Sequence, residues 1–197
     1  PLEVLLTMTE EAGMDGAFGL QAGWLQADIL INTDSEEEGE IYMGCAGGID
    51  FISTLALSRE AVPAGFETFR LTLKGLKGGH SGGDIHLGLG NANKLLARFL
   101  AGHAAELDLR LLDFNGGTLR NAIPREAFAT VAVAADKAEQ LKALAEAYQA
   151  ILTNELAIKE KNLTVQLESV ASDKAALTTA SRDAFVQLLN ATPNGVI

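Results

Sequence analysis

The fold of this chain is decided by the stretch FRLTLK at residues 69–74, in which apolar and polar side chains alternate. A period of two places the apolar side chains on one face, which is typical of a strand with one buried face. The stretches LDLRL at 107–111 and LTVQLE at 163–168 alternate in the same way. Residues 128–133 read FATVAV and are also rich in strand formers. The four stretches predict a sheet that packs on one side only.

The segments between these strands predict helices. Residues 89–104 place Leu89, Ala92, Leu96 and Phe99 on one helical face. Residues 136–139, DKAE, resemble a capping box that begins a second helix. The inward positions of that helix are Leu141, Leu144, Ala145, Tyr148 and Leu152. Residues 181–190 are also helical in pattern, so the order is β-α-β-β-α-β with a trailing helix, which indicates a split βαβ sandwich.

The N-terminal part has a different pattern. Nearly continuous apolar runs at residues 2–6 and 28–31 predict buried strands, and 16–27 has the spacing of a short helix. Such a unit favours a parallel sheet covered on both faces, so we assign the chain to the α/β class. The Gly-rich passage at 44–48 marks the predicted border between this first domain and the next. We therefore predict one domain over residues 1–47 and an α+β domain over 48–197.

Charge is distributed very unevenly along the chain. The first fifty residues contain eleven acidic side chains and no Lys or Arg, and this imbalance accounts for the whole net charge of −11. Two clusters, Glu10-Glu11 and residues 34–38, directly follow the predicted strands. Carboxylates without countercharges need either water or a cation. A divalent-metal site is therefore the first hypothesis, and a solvated acidic surface is the alternative.

Bulk properties exclude some partners. The sequence pI of about 4.7 argues against a nucleic-acid partner, because phosphate contacts need a basic surface. The longest apolar runs are shorter than the ~20 residues that span a membrane. A single cysteine, Cys45, cannot form an internal disulfide and fits a cytoplasmic location. The chain starts at Pro1 without a signal-peptide pattern, so we expect it to be internal to a longer protein.

Two loops carry polar candidates. His80 lies between glycines in GLKGGHSGG at residues 75–83, so it is not packed in a core. Residues 115–125 join two strands and contain Asn121, with Arg120 and Arg125 on either side. This segment could be an ordinary turn, or Asn121 with one of the arginines could bind a substrate carboxylate. Spacing alone leaves both interpretations open.

Four passages, taken together, carry a resemblance to a known family. They are TEEAG at residues 9–13, NTDSE at 32–36, GHSG at 79–82 and NAIP at 121–124. In this order they resemble the dinuclear-zinc peptidase superfamily of carnosinases, aminoacylases and glutamate carboxypeptidases, and most closely its bacterial dipeptidases. The resemblance extends over essentially the whole chain. It implies a catalytic domain followed by a lid domain through which the family forms homodimers.

The resemblance assigns the acidic residues to a metal centre. It implies that Glu10 is the general base and that Glu11 is a ligand to one zinc ion. Asp34 resembles the carboxylate ligand of the other zinc ion, and cobalt or manganese are conceivable substitutes. Two metal ions would acidify a bridging water, which Glu10 would deprotonate.

The resemblance also assigns residues of the lid. His80 is similar to the lid histidine that, in the family's dimers, reaches the partner's active site and stabilises the oxyanion. Asn121 matches a position that holds the substrate near its carboxylate. Arg125 is a further candidate for that contact, although relatives often carry the carboxylate-binding arginine elsewhere. The implied substrates are Xaa-His and other unblocked dipeptides.

The chain also departs from the family pattern. The family uses a His-x-Asp pair and a bridging Asp before the Glu-Glu pair, and another His near the C-terminus, and none of these is present. We therefore expect a fragment, with a partial catalytic domain and most of a lid, that is inactive alone. One alternative is an autonomous dimerisation module without catalysis. Another is a related amidohydrolase that acts on acylamino acids.

Overall fold

The structure is a computed structural model of the 197-residue chain and describes residues 2–35 and 37–196. The chain divides into two compact units, of which the first ends at Ser53 and the second begins at Thr54. We call them the N-terminal unit and the lid unit. The division lies a few residues after the Gly-rich passage at which the sequence predicts a border.

The N-terminal unit contains two short helices, α1 (Glu10–Gly13) and α2 (Asp15–Phe18). None of its described residues forms a strand, so the strands predicted at 2–6 and 28–31 are wrong for this structure. The helix predicted over 16–27 is also wrong beyond the short α2. A buried parallel strand needs neighbouring strands and cover on both faces. Here the apolar side chains remain exposed, and Leu30, for example, is 78% exposed.

The lid unit contains every other strand and α-helix of the described residues. In chain order these are β1 (Arg59–Glu60), β2 (Phe66–Lys74), α3 (Ala92–His103), β3 (Arg110–Gly116), β4 (Ala127–Ala134), α4 (Ala138–Glu155), β5 (Thr164–Ser169), β6 (Ala176–Leu177) and α5 (Thr179–Ala191). The predicted order β-α-β-β-α-β with a trailing helix is confirmed by β2 to β5 and α5. The two-residue strands β1 and β6 pair with each other and were not predicted.

The four long strands form one antiparallel sheet in the order β3-β4-β2-β5. Strand β2 is central, because Leu71 pairs with Ala129 of β4 on one side and with Leu167 of β5 on the other. Strands paired in this register point their apolar side chains to the same face. This is why the alternation at residues 69–74 organises the whole sheet.

Helices α3 and α4 cover the apolar face of the sheet. Leu71 and Leu73 are fully buried there, and Phe99 of α3 lies with its ring centroid 5.3 Å from that of Tyr148 of α4. The predicted inward residues of α4 are confirmed, with Leu144 only partly buried. The other face buries Leu112 and Ala132 together with Ala176 of β6, and Val62 and Phe66 pack against this small cluster.

Helix α4 does not begin with the predicted capping box. A short 3-10 turn, Ala135–Lys137, leads into the helix, and no side chain caps its N-terminus. The backbone replaces the expected side-chain cap, because the Ala138 N–H already donates to the Ala135 carbonyl. Side-chain caps do occur at α3, where Asn91 accepts from the Lys94 N–H, and at α5, where Thr178 accepts from the Ser181 N–H.

The short β1–β6 ribbon lies beside the edge strand β3. Arg59 links the two, because its Nη1 donates to the Leu112 carbonyl at 2.8 Å and to the Ala175 carbonyl at 2.6 Å. Lys174 and Asp113 add an ion pair at the same edge. The second edge strand is β5. Among the helices of the described residues, none has both the length and the apolar character needed to cross a bilayer.

Candidate functional site

The Glu10-Glu11 pair lies on a defined turn at residues 8–16, which we call the Glu-Glu turn. Thr9, directly before the pair, has φ 58° and ψ 35°, in the left-handed region. That conformation is a strong outlier for a β-branched residue and persists only where the surrounding structure imposes it. Here the Met14 N–H donates to the Thr9 carbonyl at 2.7 Å, and the Asp15 N–H donates to Thr9 Oγ1 at 3.2 Å.

Gly16 completes the Glu-Glu turn. Its N–H donates to the Met8 carbonyl at 3.1 Å. A Cβ at this position would lie 2.5 Å from the Met8 nitrogen, so no larger residue fits. Glu10 and Glu11 are therefore presented to solvent from a turn of fixed shape, although the predicted strand before it is not formed.

Asp34 is also exposed and lies in a turn. Its N–H donates to the Asn32 side-chain oxygen at 3.0 Å, which is the hydrogen bond of an Asx turn. Glu36, the last residue of the NTDSE motif, lies outside the described residues. The part of the motif that the structure describes thus forms a loop in place of the predicted strand end.

The carboxylates have suitable chemistry for a metal, because zinc accepts Asp and Glu oxygens as ligands. Their arrangement in this structure is incomplete. Among the described residues, no three His, Cys, Asp or Glu side chains come together in a way that could hold a metal ion. The described residues 2–35 and 37–196 therefore do not form a complete metal site in this structure.

In the lid unit, His80 lies on a loop at residues 75–90 that we call the His80 loop. Two of its glycines have φ values that favour glycine, 83° at Gly75 and 67° at Gly78. A Cβ at Gly75 would lie 2.0 Å from the Asn162 carbonyl oxygen, and a Cβ at Gly78 would lie 2.3 Å from Arg125 Cγ. The glycines before His80 therefore allow close approach by two other segments of the lid.

The imidazole of His80 is exposed but oriented. Its Nδ1 accepts from the Gly82 N–H at 3.1 Å and from the Gly83 N–H at 3.0 Å. A ring nitrogen that accepts carries no proton, so in the neutral ring the proton lies on Nε2. His80 therefore offers Nε2–H as a hydrogen-bond donor.

The structure brings His80 and Asn121 together. His80 and Ala122 form an isolated antiparallel bridge. The Ser81 N–H donates to the Asn121 carbonyl at 2.8 Å, and the Ile123 N–H donates to the Gly79 carbonyl at 2.8 Å. Two motifs that are distant in the sequence are thus adjacent in the lid.

Arg125 lies beside the same loop. Its Nε donates to the Leu76 carbonyl at 3.2 Å, and its side chain passes over Gly78. One of the five guanidinium N–H groups is therefore used to hold the His80 loop. The side chain remains exposed, so other donors of the group can still reach a ligand.

Two carboxylates that bind backbone groups of the His80 loop were not identified from the sequence. Asp84 accepts from the His80 N–H at 2.7 Å. Glu160 is only 3% exposed and accepts from the N–H groups of Lys77 and Gly90, each at 2.8 Å. The glycines before Asp84 could have indicated a turn residue. No pattern around Glu160 indicated its burial, because the residue lies in a polar stretch after α4.

The lid fold and the loop that it carries define a class of protein. Residues 71–160 match the M20 peptidase dimerisation domain. The lid unit therefore carries a peptidase dimerisation domain of the M20 type.

Particular relatives agree with this class. The chain is 83% identical over all of its 197 residues to the cytosol non-specific dipeptidase of Escherichia coli (strain K12). It spans 41% of the length of that relative. Among solved structures, the aminoacylhistidine dipeptidase of Vibrio alginolyticus is similar, with a TM-score of 0.78 and 57% identity. That similarity covers 97% of this chain and 39% of the Vibrio chain.

Proposed function

We propose that this chain is part of a metal-dependent dipeptidase and contributes residues to both halves of its active site. The main support for the proposal is the β-bridge between His80 and Ala122. It places His80 beside Asn121 in a peptidase dimerisation domain. The whole-length similarity to the E. coli dipeptidase supports the same activity. Because the chain spans 41% of that relative, the rest of the site belongs to other parts of the longer protein.

The N-terminal unit supplies the carboxylates. Glu11 and Asp34 would each hold one of two zinc ions, with further ligands from the longer protein, and cobalt or manganese could substitute. When bound, the metal supplies an acidified water. Glu10 accepts a proton from the attacking water at its carboxylate and delivers it to the leaving amine. The left-handed Thr9 directly before Glu10 supports this role, because strained backbone clusters at active sites.

The lid unit supplies the groups that bind substrate. His80 donates its Nε2–H to the oxygen on which negative charge develops in the transition state. Asn121 and Arg125 hold the substrate carboxylate by hydrogen bonds and charge. In the homodimer formed through the lid units, His80 acts in the active site of the partner subunit.

Location and substrate follow from the same proposal. The substrates are Xaa-His dipeptides, in keeping with the name of the Vibrio relative, and other unblocked dipeptides. The protein acts in the cytoplasm, as the name of the E. coli relative indicates. The 197-residue chain alone is inactive, because its described residues do not bring three metal-binding side chains together.

A chimera tests the activity. This chain replaces the matching segment of the E. coli dipeptidase, and the purified chimera is assayed with zinc on Xaa-His dipeptides and on N-acylamino acids. We expect dipeptide hydrolysis by the chimera and none by the 197-residue chain. Glu10→Gln should abolish turnover, and His80→Ala should lower kcat by about a hundredfold to a thousandfold. Turnover by the chain alone, or preference for the acylamino acids, would contradict the proposal.

Mixed dimers test whether His80 acts in the partner's site. Glu10→Gln and His80→Ala chimeras are each assayed alone and after the subunits have been exchanged. A mixed dimer contains one site with both Glu10 and His80 intact, so we expect about a quarter of the unsubstituted activity to return. No recovery after confirmed exchange would mean that His80 acts within its own subunit.

A non-catalytic dimerisation module is the second candidate. It is favoured by the core of the lid unit, since every buried hydrophobic residue of the described chain lies there. Sedimentation of the 197-residue chain and of residues 54–197 distinguishes the two roles of the N-terminal unit. Equal dimerisation would make that unit dispensable for assembly and leave it only the catalytic role that the chimera tests.

A further inference from the structure

We propose that Asp84 and Glu160 are positioning residues that hold His80 as an outward-facing hydrogen-bond donor. The inference rests on the catalytic role proposed for His80. Both carboxylates accept hydrogen bonds from backbone N–H groups of the His80 loop. They therefore act on the substrate only through the orientation of His80. Each carboxylate fixes a different part of the loop.

Glu160 holds the base of the His80 loop. Its Oε2 accepts from the Lys77 N–H and its Oε1 from the Gly90 N–H, so one side chain joins the two ends of the loop. Burial of a carboxylate is costly unless hydrogen bonds compensate it, and here each oxygen has a backbone donor at 2.8 Å. The adjacent Lys159 adds hydrogen bonds from Nζ to the carbonyls of Leu87 and Gly88.

The fit around Gly90 shows how closely this base is packed. A Cβ at Gly90 would lie 2.9 Å from Leu76 Cδ2 and 3.4 Å from Glu160 Oε1. A side chain at this position would press on the Leu76 methyl group, whereas its distance to the carboxylate would be an ordinary contact. Glu160 thus replaces the side-chain packing that a glycine-rich loop lacks.

Asp84 holds the tip of the loop. Its Oδ2 accepts from the His80 N–H at 2.7 Å, and its own N–H donates to the His80 carbonyl at 3.0 Å. This reciprocal pair closes a tight turn over residues 80–84. Inside the turn, the N–H groups of Gly82 and Gly83 point at His80 Nδ1.

The two carboxylates have a chemical consequence at the imidazole. With Nδ1 occupied by two donors, the neutral ring keeps its proton on Nε2. A hydrogen-bond donor stabilises a transition state most effectively when it is oriented before the reaction. Loss of Asp84 would release the turn, and the ring could then rotate or change tautomer.

The hydrogen bonds also predict which conservative substitutions are tolerated. The contact of Asp84 with His80 uses one carboxylate oxygen, and Asn offers one amide oxygen in the same place. Glu160 uses both oxygens, whereas Gln would direct an NH2 group at one backbone N–H. Asp84→Asn should therefore be tolerated, and Glu160→Gln should not.

The first measurement is nitrogen NMR on the 197-residue chain with labelled histidine. The chain has three histidines, so His86→Gln and His103→Gln variants assign the His80 signals. At a pH where the ring is neutral, we expect protonated Nε2 and non-protonated Nδ1 in the unsubstituted chain and in Asp84→Asn. Asp84→Ala should show a tautomer mixture. An unchanged tautomer in Asp84→Ala would overturn the role of Asp84, whatever the enzyme's activity.

The second measurement is steady-state kinetics on the chimera. We expect Asp84→Ala and Glu160→Gln to lower kcat by about tenfold to a hundredfold with little change in KM, since a donor is displaced without loss of substrate contacts. Asp84→Asn should stay within about twofold of the unsubstituted kcat. Glu139→Gln, an exposed carboxylate of α4, is the matched control and should not change kcat.

The outcomes separate the two proposals. If His80→Ala retains kcat, the role proposed for His80 is wrong. If His80→Ala loses kcat while Asp84→Ala and Glu160→Gln retain it, the positioning role is overturned alone. Thermal unfolding checks each variant, and if Glu160→Gln does not fold, the Asp84→Ala and Asp84→Asn pair decides the question.

Discussion

The N-terminal unit and the lid unit are similar in their content of apolar residues but differ in what covers those residues. None of the described residues up to Ser53 is buried, whereas the lid unit has a continuous core. Two phenylalanines illustrate the contrast, since Phe51 is 88% exposed and Phe99 is 1% exposed. A run of apolar residues is therefore necessary for burial but not sufficient. Burial also requires other segments of the fold that cover the run.

The difference has a topological origin. Each strand of the lid sheet has its antiparallel partners within the lid unit, including partners of β2 that are distant in the sequence. A strand of a parallel sheet needs partners from distant segments and cover on both faces. The described part of the N-terminal unit contains no such partners, so its apolar runs stay exposed. The lid unit should therefore be stable without the N-terminal unit.

The largest expected change in the free energy of unfolding comes from removing an aromatic ring from the lid core. Phe99→Ala should lower the free energy of unfolding of the lid unit by about 3 to 5 kcal/mol, because it opens a cavity between α3 and the sheet. Chemical denaturation of the 197-residue chain measures the change. Phe51→Ala is the matched control and should shift the free energy by less than about 0.5 kcal/mol. Equal effects at the two positions would mean that the N-terminal unit has a core of its own.

The next effect concerns a buried charge of α5. Arg182 is 5% exposed, and its Nη1 donates to the Leu109 carbonyl at 2.6 Å. Arg182→Met should cost about 2 to 3 kcal/mol, because it leaves buried carbonyls without a donor. Arg70→Met, at an exposed position of β2, is the control in the same denaturation experiment. If Arg182→Met leaves the free energy of unfolding unchanged, packing alone holds α5 to the rest of the lid unit.

The two tyrosines of the chain provide a closely matched comparison with a smaller expected change in stability. Tyr148 donates to the Leu95 carbonyl at 2.7 Å and accepts from Arg98 Nε at 3.0 Å, and its burial raises its pKa. Tyr148→Phe should cost about 1 kcal/mol, and Tyr42→Phe should leave the unfolding midpoint unchanged because Tyr42 is exposed.

The pH dependence of this pair has a defined sign. The folded-state pKa of Tyr148 lies above its ordinary value of 10.0. The stability that its neutral hydroxyl contributes is therefore complete below that value and is lost as the pH rises through the raised pKa. Denaturation of the unsubstituted chain and of Tyr148→Phe at increasing alkaline pH should show converging midpoints. A constant difference would contradict this assignment.

The smallest expected effect is that of removing the N-terminal unit. Residues 54–197 alone should unfold with a free energy within about 0.5 kcal/mol of the 197-residue chain, because the buried hydrophobic residues of the described chain all belong to the lid unit. Hydrogen exchange should show the same protected amides in both proteins. A large loss of stability would show that the two units share a core.

The sequence predicted the lid more accurately than the N-terminal unit, for a physical reason. The alternation at residues 69–74 and the helical face with Leu96 and Phe99 reflect local periodicity, which is written in consecutive residues. The strands predicted at 2–6 and 28–31 depended on partners that local periodicity does not specify. The capping box at 136–139 failed for a similar reason, because a backbone 3-10 turn competes with the side-chain cap.

The candidate site shows the same limit. Glycines around His80 indicated an accessible loop, and the resemblance of four motifs assigned roles to Glu10, Glu11, Asp34 and Asn121. The contact between His80 and Asn121 required the sheet to bring two distant loops together. The carboxylates Asp84 and Glu160 could not be distinguished from surface acids in the sequence, since their hydrogen bonds are all to backbone groups.

The sequence by itself determined which face of the lid sheet is apolar, which helices cover it, and which unit carries the uncompensated acidic charge. These properties follow from the period and the composition of consecutive residues. Only the tertiary structure decided that Nδ1 of His80 accepts two backbone N–H groups and that Glu160 closes the loop beneath it. The reason is that hydrogen-bond geometry depends on the positions of backbone groups, which the folded chain sets and the residue types alone do not specify.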